Sequence, residues 1–287
     1  MQRITDIQEM QRTADRLRIE GKRIGFVPTM GFLHAGHLDL LRVCREQCDI
    51  VVLSVFVNPA QFGKGEDFGR YPRDPDRDEA LAASAGCDIV FIPNSEDIYP
   101  PDASTRVEVE GLSELWEGRF RPTHFRGVTT VVSLLFHIVK PHCAVFGQKD
   151  IQQAVIIRRM VRDLHFDIEI IVAPTRREND GLAMSSRNTY LAGSGRSDAA
   201  VLSRALRLAE QAIAGGERNT AMILAIMHDE LAGSPDIKLD YAAVFDAETL
   251  EEIIVIDKAP VVIAIAARIG NTRLIDNTIV KGETIES

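Results

Sequence analysis

No stretch of this 287-residue chain reaches the roughly 18 uninterrupted apolar residues that a membrane-spanning helix needs. The first residues, Met-Gln-Arg-Ile-Thr-Asp, lack the apolar run of a secretory signal, so a cytoplasmic location is the default expectation. Positive charge is not in excess either: 33 Lys and Arg against 42 Asp and Glu leave a net charge of −9. No basic field therefore points to a nucleic acid or an anionic membrane as partner, and anionic substrates must be met by local positive groups. Cysteine is sparse, and the four present (Cys44, Cys48, Cys87, Cys143) form no CxxC pair and no zinc-ligand spacing. They read as reduced, mostly buried thiols. Internal repeats and low-complexity tracts are also absent.

What is present is a chain long enough for two domains. From residue 24 to about 173, apolar β-rich runs at 24–27, 50–57, 89–92, 143–146 and 168–172 alternate with helical-period segments at 37–47, 75–85, 127–139 and 150–163. That alternation predicts βαβ units and a Rossmann-like parallel sheet over residues 1–175. Near 175 the pattern changes to a polar stretch, then helical segments near 196–214 and 218–233 and strands near 237–245 and 260–268. A smaller α+β domain over 176–287 is expected, with the Met-Ser-Ser-Arg segment forming part of a site between the domains. Residues 63–74, rich in Gly and charge, suit a mobile flap.

The most informative segment is Pro28-Thr-Met-Gly-Phe-Leu-His-Ala-Gly-His37, where an apolar strand hands over to a helix beginning near Leu38. His34 and His37 flank Gly36 at that helix start, so two imidazoles and several main-chain N–H groups can converge on one phosphate. In a parallel sheet, ligands bind beyond the carboxyl ends of the strands. The segments 57–62 (with Asn58 and Gln61) and 147–150 (Gly147, Lys149, Asp150), like the residues after Val172, follow strands directly and so share that face. Lys149 brings a full charge, Ser185 and Ser186 bring hydroxyls, and Arg187 a planar fork. This set suits displacement at a nucleotide α-phosphate, where the protein positions groups and stabilises charge.

Blander readings stand beside each of these. Lys149 is also what a solvated lysine at a helix start looks like, Ser185 and Ser186 suit a helix cap, and Arg187 suits a surface pair with Asp180. Gln61 and Gln153 are uncharged amides of a kind usually exposed. Their joint placement on one face favours the functional reading.

The strings Pro28 to His37, Val57-Asn-Pro-Ala-Gln-Phe-Gly63, Tyr71-Pro-Arg73, His124-Phe-Arg-Gly-Val128, Phe146-Gly-Gln-Lys-Asp150 with Gln152-Gln153, and Asp180 to Asn188 resemble, in order and spacing, the pantothenate synthetase (pantoate–β-alanine ligase) family. The HxGH string alone would mark only a broader nucleotidyltransferase superfamily. The resemblance implies that ATP and (R)-pantoate form a pantoyl adenylate with loss of pyrophosphate, and that β-alanine then displaces AMP to give pantothenate. It implies Mg2+ with the triphosphate and a homodimer. It places Met30, His34 and His37 around ATP, with His37 as proton donor. Gln61 and Gln153 fall on pantoate, Asn58 among the substrate-binding residues, and Gln61 also near β-alanine. Gly147, Lys149, Asp150, Met184, Ser185, Ser186 and Arg187 run along the nucleotide, and Arg176 meets adenine through its main chain. His34, His37, Lys149, Ser185, Ser186 and Arg187 form the implied catalytic set.

Two departures bear on the transfer. The family's Gly-Glu-Lys-Asp is Gly-Gln-Lys-Asp here, and Arg77 stands where some relatives carry an acidic residue associated with magnesium. Although Asp78 is retained, a metal held mainly by phosphates and water is the expectation, with no protein ligand. Two competitors remain at this level: an adenylyltransferase that stops at nucleotide transfer, and a protein that binds ATP without turnover. The paired glutamines oppose the first, and the histidines with Lys149 oppose the second.

Overall fold

The computed structural model describes residues 1–234 and 236–281. Its contacts divide the chain into two compact units, Met1–Gln148 with Gln153–Pro174, and Lys149–Gln152 with Thr175–Ser287.

The first unit is built on six parallel strands, β1 (Gln2–Ile4), β2 (Ile24–Thr29), β3 (Ile50–Val55), β4 (Ile89–Phe91), β5 (Cys143–Gly147) and β6 (Glu169–Ala173), in the order β1-β4-β3-β2-β5-β6. The connecting helices are α1 (Ile7–Ile19), α2 (Ala35–Gln47), α3 (Pro75–Ser84), α4 (Ser95–Ile98), α5 (Glu117–Phe120), α6 (His124–Val139) and α7 (Ile151–Asp163). The inner strands are nearly continuous apolar runs because both faces are covered; Val27, Val51, Leu53, Val90 and Val145 share one core with Leu33 and Leu41. Helix α1 starts where the Asp6 side chain accepts the Glu9 N–H at 2.6 Å, and it buries Met10, Ala14 and Leu17 at helical spacing. Strand order reverses between β2 and β5, so the crevice for a ligand opens beyond Thr29 and Gly147.

All four cysteines are free and buried. Gly25 makes room for two of them, since a Cβ there would overlap Cys44 Sγ and come within 2.9 Å of Cys48 Sγ.

The second unit has helices α8 (Ser194–Asp198), α9 (Val201–Ala214) and α10 (Thr220–Ala232) and an antiparallel sheet of β7 (Ile237–Asp246), β8 (Val261–Ile269) and β9 (Thr272–Val280). Leu202, Leu206, Ile213, Ile223, Met227, Val244, Ile263 and Ile265 form its core.

Several boundaries differ from the sequence reading. Helix α2 begins at Ala35, so His37 lies inside its first turn, and α6 begins at His124, three residues before the expected 127. The helix expected over 196–214 is two helices, α8 and α9. Strand β1, helix α1 and strand β9 lie outside the sequence reading. β1 is three residues long and pairs only with β4, some 87 positions on. β9 interrupts its apolar pattern with Asp276 and Asn277, both buried.

Candidate active site

The turn from β2 into α2 is held from several sides. Thr29 Oγ1 donates to the Ser54 carbonyl at 2.8 Å and accepts the Gly31 N–H at 3.2 Å. Gly31 has φ +81, and a Cβ there would come 2.8 Å from Val55 Cγ1 and 2.9 Å from Asp78 Oδ2, so only glycine fits. The main-chain N–H groups of Phe32 and Leu33 donate to Oδ2 and Oδ1 of Asp78 at 2.7 Å each. Burial pushes the Asp78 carboxyl above its ordinary pKa, and these two N–H groups pull it back. Arg77 lies over the Phe32 ring, 5.1 Å from its centre.

His34 occupies the N-cap position of α2 in extended geometry. Its main-chain N–H donates to Nδ1 of His37 at 3.2 Å, and the two rings lie 4.0 Å apart between centres. Because Nδ1 of His37 accepts, the neutral ring carries its proton on Nε2, which is a donor. Two imidazoles thus sit beside the N–H groups that a helix start leaves without intrahelical partners.

Gln61 is set by a second cluster. The chain after β3 makes a short turn, Pro59–Gln61, capped by Asn58, whose Oδ1 accepts the Ala60 N–H at 3.2 Å. Asn58 is 1% exposed, and its Nδ2 donates to Gln61 Oε1 at 3.0 Å and to the Gly127 carbonyl at 3.1 Å. Gln61 Nε2 in turn donates to Met30 Sδ at 3.2 Å. Helix α6 approaches this turn closely enough that a Cβ on Gly127 would overlap the Ala60 carbonyl. Behind the turn, Nδ1 of His124 lies 3.0 Å from the Gln61 carbonyl oxygen, and Arg121 grips Glu66 through Nε at 2.8 Å and Nη2 at 2.7 Å. Segment 63–74, expected as a flap, is therefore tied down at Glu66, and its Phe68 and Tyr71 rings pack against Phe62 just ahead of it. Gly147 ends β5 with nothing within 4 Å of the place its Cβ would take, which leaves room for a ligand. Gln153 is half-buried on α7.

In the second unit Lys149 lies 3.8 Å from Asp150, and its carbonyl accepts Asn277 Nδ2 at 2.8 Å. Arg176 is exposed, and its carbonyl accepts the Met184 N–H at 2.9 Å. Ser185 does cap a short turn, Ser186–Tyr190, by accepting the Arg187 N–H at 3.2 Å. Ser186 is buried. Asp180 pairs with Arg196, not with Arg187 as the blander reading has it, and this pairing holds the Asp180 carboxyl below the usual range. Arg177 forks onto buried Asp276 at 2.6 and 3.1 Å, while Asn188 reaches Glu178 at 2.8 Å and the Ala183 carbonyl at 3.1 Å. The segment carrying the two serines is thus built on ion pairs and on hydrogen bonds from the Asn188 amide.

Comparison with known proteins gives the family. A sequence profile of pantoate-beta-alanine ligase matches residues 2–279. This chain belongs to that family. Pantothenate synthetase of Moorella thermoacetica is 54% identical over 264 residues, which span 92% of this chain and 93% of the relative. Among solved structures, pantothenate synthetase from Thermus thermophilus is 46% identical with a TM-score of 0.91, covering 97% of this chain and 99% of that one. A pantoate-beta-alanine ligase from Francisella tularensis, complexed with beta-gamma ATP and beta-alanine, is 33% identical with a TM-score of 0.80 over the full length of both chains.

Within the family frame, the retained Asp78 already serves the main chain, since both its oxygens accept N–H groups of the turn. Residues that sequence reasoning did not single out for the site are Tyr99 and Asn277, each of which touches a candidate residue from a distant part of the chain. Nothing local to those two residues marks them, whereas Gly127, whose carbonyl meets Asn58, stands in the quoted string His124 to Val128.

Proposed function

We propose that the chain condenses (R)-pantoate with β-alanine to pantothenate, consuming ATP and releasing AMP and pyrophosphate. The observation that carries this reading is the His34–His37 pair at the start of α2, beside the Met30–Gln61 contact and at the sheet's switch point. Family membership supports it, as does the ATP and β-alanine complex of the Francisella relative.

A carboxylate resists attack by an amine because its leaving group would be oxide. One pantoate carboxylate oxygen therefore attacks the α-phosphorus of ATP, and the bond to the β-phosphate oxygen breaks with loss of pyrophosphate. The β-alanine nitrogen then attacks the acyl carbon of the adenylate, the bond to the AMP oxygen breaks, and the ammonium loses its proton. His37, protonated on Nε2, donates to phosphate oxygens whose charge grows in the first step, which is the condition for a contact to raise the rate. His34 supports the same phosphates, and Met30 lines the nucleotide. Lys149, Ser185, Ser186 and Arg187 supply further donors to the nucleotide phosphates. Gly147, Asp150, Met184 and the main chain of Arg176 line the nucleotide. Gln61 and Gln153 hold pantoate, and Asn58, buried, acts through Gln61 and not by direct contact. Magnesium bound with the triphosphate would offset charge on its oxygens. We assign the enzyme to the cytoplasm as a homodimer, on the family resemblance.

The test is exchange of labelled pyrophosphate into ATP with Mg2+ and pantoate but no β-alanine. Exchange is expected, and β-alanine should then yield AMP and pantothenate in equal amounts. Exchange without pantoate, or none until β-alanine is added, would refute the adenylate pathway.

A further inference from the structure

Two main-chain groups decide which way the Asn58 amide points. The Ala60 N–H can only donate and faces Oδ1 at 3.2 Å; the Gly127 carbonyl can only accept and faces Nδ2 at 3.1 Å. With Asn58 fixed, the remaining contacts have one polarity each. Its Nδ2 also lies 3.0 Å from Gln61, so the Gln61 atom there is the oxygen, and Nε2 with both hydrogens faces the other way. On that side Nε2 meets Met30 Sδ at 3.2 Å, a thioether that accepts weakly and yields readily to a better acceptor. Tyr99 follows α4 and approaches from the strand next to β3; its hydroxyl lies 2.9 Å from Asn58 Oδ1, an oxygen with no hydrogen to give, so Tyr99 donates.

We propose that Tyr99 is a positioning residue for the acid substrate: its donation to Asn58 Oδ1 reinforces the orientation that the Ala60 N–H and the Gly127 carbonyl give the Asn58 amide, and Asn58, through Gln61 Oε1, turns the Gln61 Nε2 donors toward the substrate carboxylate. This rests on the reading above that Gln61 meets pantoate. A carboxylate offers lone pairs to the Gln61 hydrogens that this arrangement presents. Burial pushes the Tyr99 phenol up to about 12, so the proton it donates stays in place at any working pH. Removing the hydroxyl leaves Asn58 Oδ1 with the Ala60 N–H alone and loosens the chain of donors that orients Gln61.

The experiment measures KM for pantoate and for ATP in pyrophosphate exchange, with the thermal midpoint, for wild type, Tyr99→Phe and Gln61→Glu. Tyr99→Phe should raise the pantoate KM about fivefold to tenfold, the effect of one neutral hydrogen bond, with the ATP KM within about twofold and the midpoint nearly unchanged. Gln61→Glu turns a carboxylate oxygen toward the acid and should raise the pantoate KM by about 100-fold or more near pH 8, recovering as pH falls and the glutamate protonates into a donor. A Tyr99→Phe protein whose ATP KM rises as much as its pantoate KM, or a Gln61→Glu protein with an unchanged pantoate KM at pH 8, would overturn the proposal. Absence of exchange in the wild type would instead remove the acid-activation reading, and this proposal with it.

Discussion

The carboxylate of Asp78 accepts the main-chain N–H of Leu33 at 2.7 Å, tying the first turn of α3 to the loop that carries both histidines. The second oxygen does the same for Phe32. Two adjacent N–H groups in a turn with positive φ at Gly31 and Phe32 would otherwise be buried without acceptors. Asp78 is thus a brace for the HxGH turn, with both carboxylate oxygens on main-chain donors.

Replacing Asp78 with Asn keeps one acceptor and turns an NH2 group against the other N–H. We expect a stability loss of about 1–3 kcal/mol and slower pyrophosphate exchange, with the magnesium dependence of the rate unchanged. Denaturant melts and a magnesium titration of the exchange rate check this; a selective rise in the magnesium requirement would make Asp78 a metal ligand after all.

His37→Ala should lower adenylate formation by roughly 10²–10³, as expected for loss of one preorganised donor, while far-UV circular dichroism stays that of the wild type. Near-normal pyrophosphate release by the variant would remove His37 from the chemistry.

Gln153→Ala tests the division of labour between amides and charged groups. Calorimetric titration should show weakened pantoate binding with ATP binding largely kept. The opposite pattern would move Gln153 to the nucleotide.

A pH effect resides at the base of β2, where His142 Nδ1 accepts the Ile24 N–H at 2.9 Å. Burial holds the His142 pKa below its ordinary 6.5, helped by Arg18 and Arg23 nearby. A depressed folded-state pKa means that His142 contributes stability above pH 6.5, which is lost as pH falls through the folded value. His142→Asn keeps an acceptor that does not titrate, so its stability should fall less than that of the wild type as pH drops below 6.5. Parallel curves for the two proteins would contradict the assignment.

Thiol chemistry supplies a further test. Burial pushes Cys48 up to about 12 and Cys87 to about 11, and Cys143 is raised by its contact with Cys44 and by burial. The native protein at pH 8 should therefore react negligibly with Ellman's reagent, and all four thiols should titrate after unfolding in denaturant. Fast reaction of one native thiol would show an opening not present in this fold.

Local sequence carried much of the architecture. Strands β2, β3 and β5 are continuous apolar runs between helical-period segments, and that pattern needs no partner to be read. The string from Pro28 to His37 was equally legible, because a strand, a glycine turn and a helix start adjoin in sequence. Ser185 shows the limit of such reading, for its cap and its proposed phosphate contact call for the same residue type. Strand β1 is three residues of ordinary composition that become a strand only by pairing with β4.

The βαβ alternation, the helix start that carries His34 and His37, and the motif spacing that marks the family were all set by residues a few positions apart, and so stood in the sequence before any fold. It took the folded chain to bring Asp78 against the turn from 45 residues away, to seat Gly127 beside the Ala60 carbonyl, and to carry the Tyr99 hydroxyl onto Asn58 Oδ1 across 41. Such contacts join groups whose periodicity, charge and composition are ordinary where they stand. Their meaning comes from the one donor or acceptor that the fold brings opposite each of them, and a buried polar atom must find that partner or lose the free energy of leaving water.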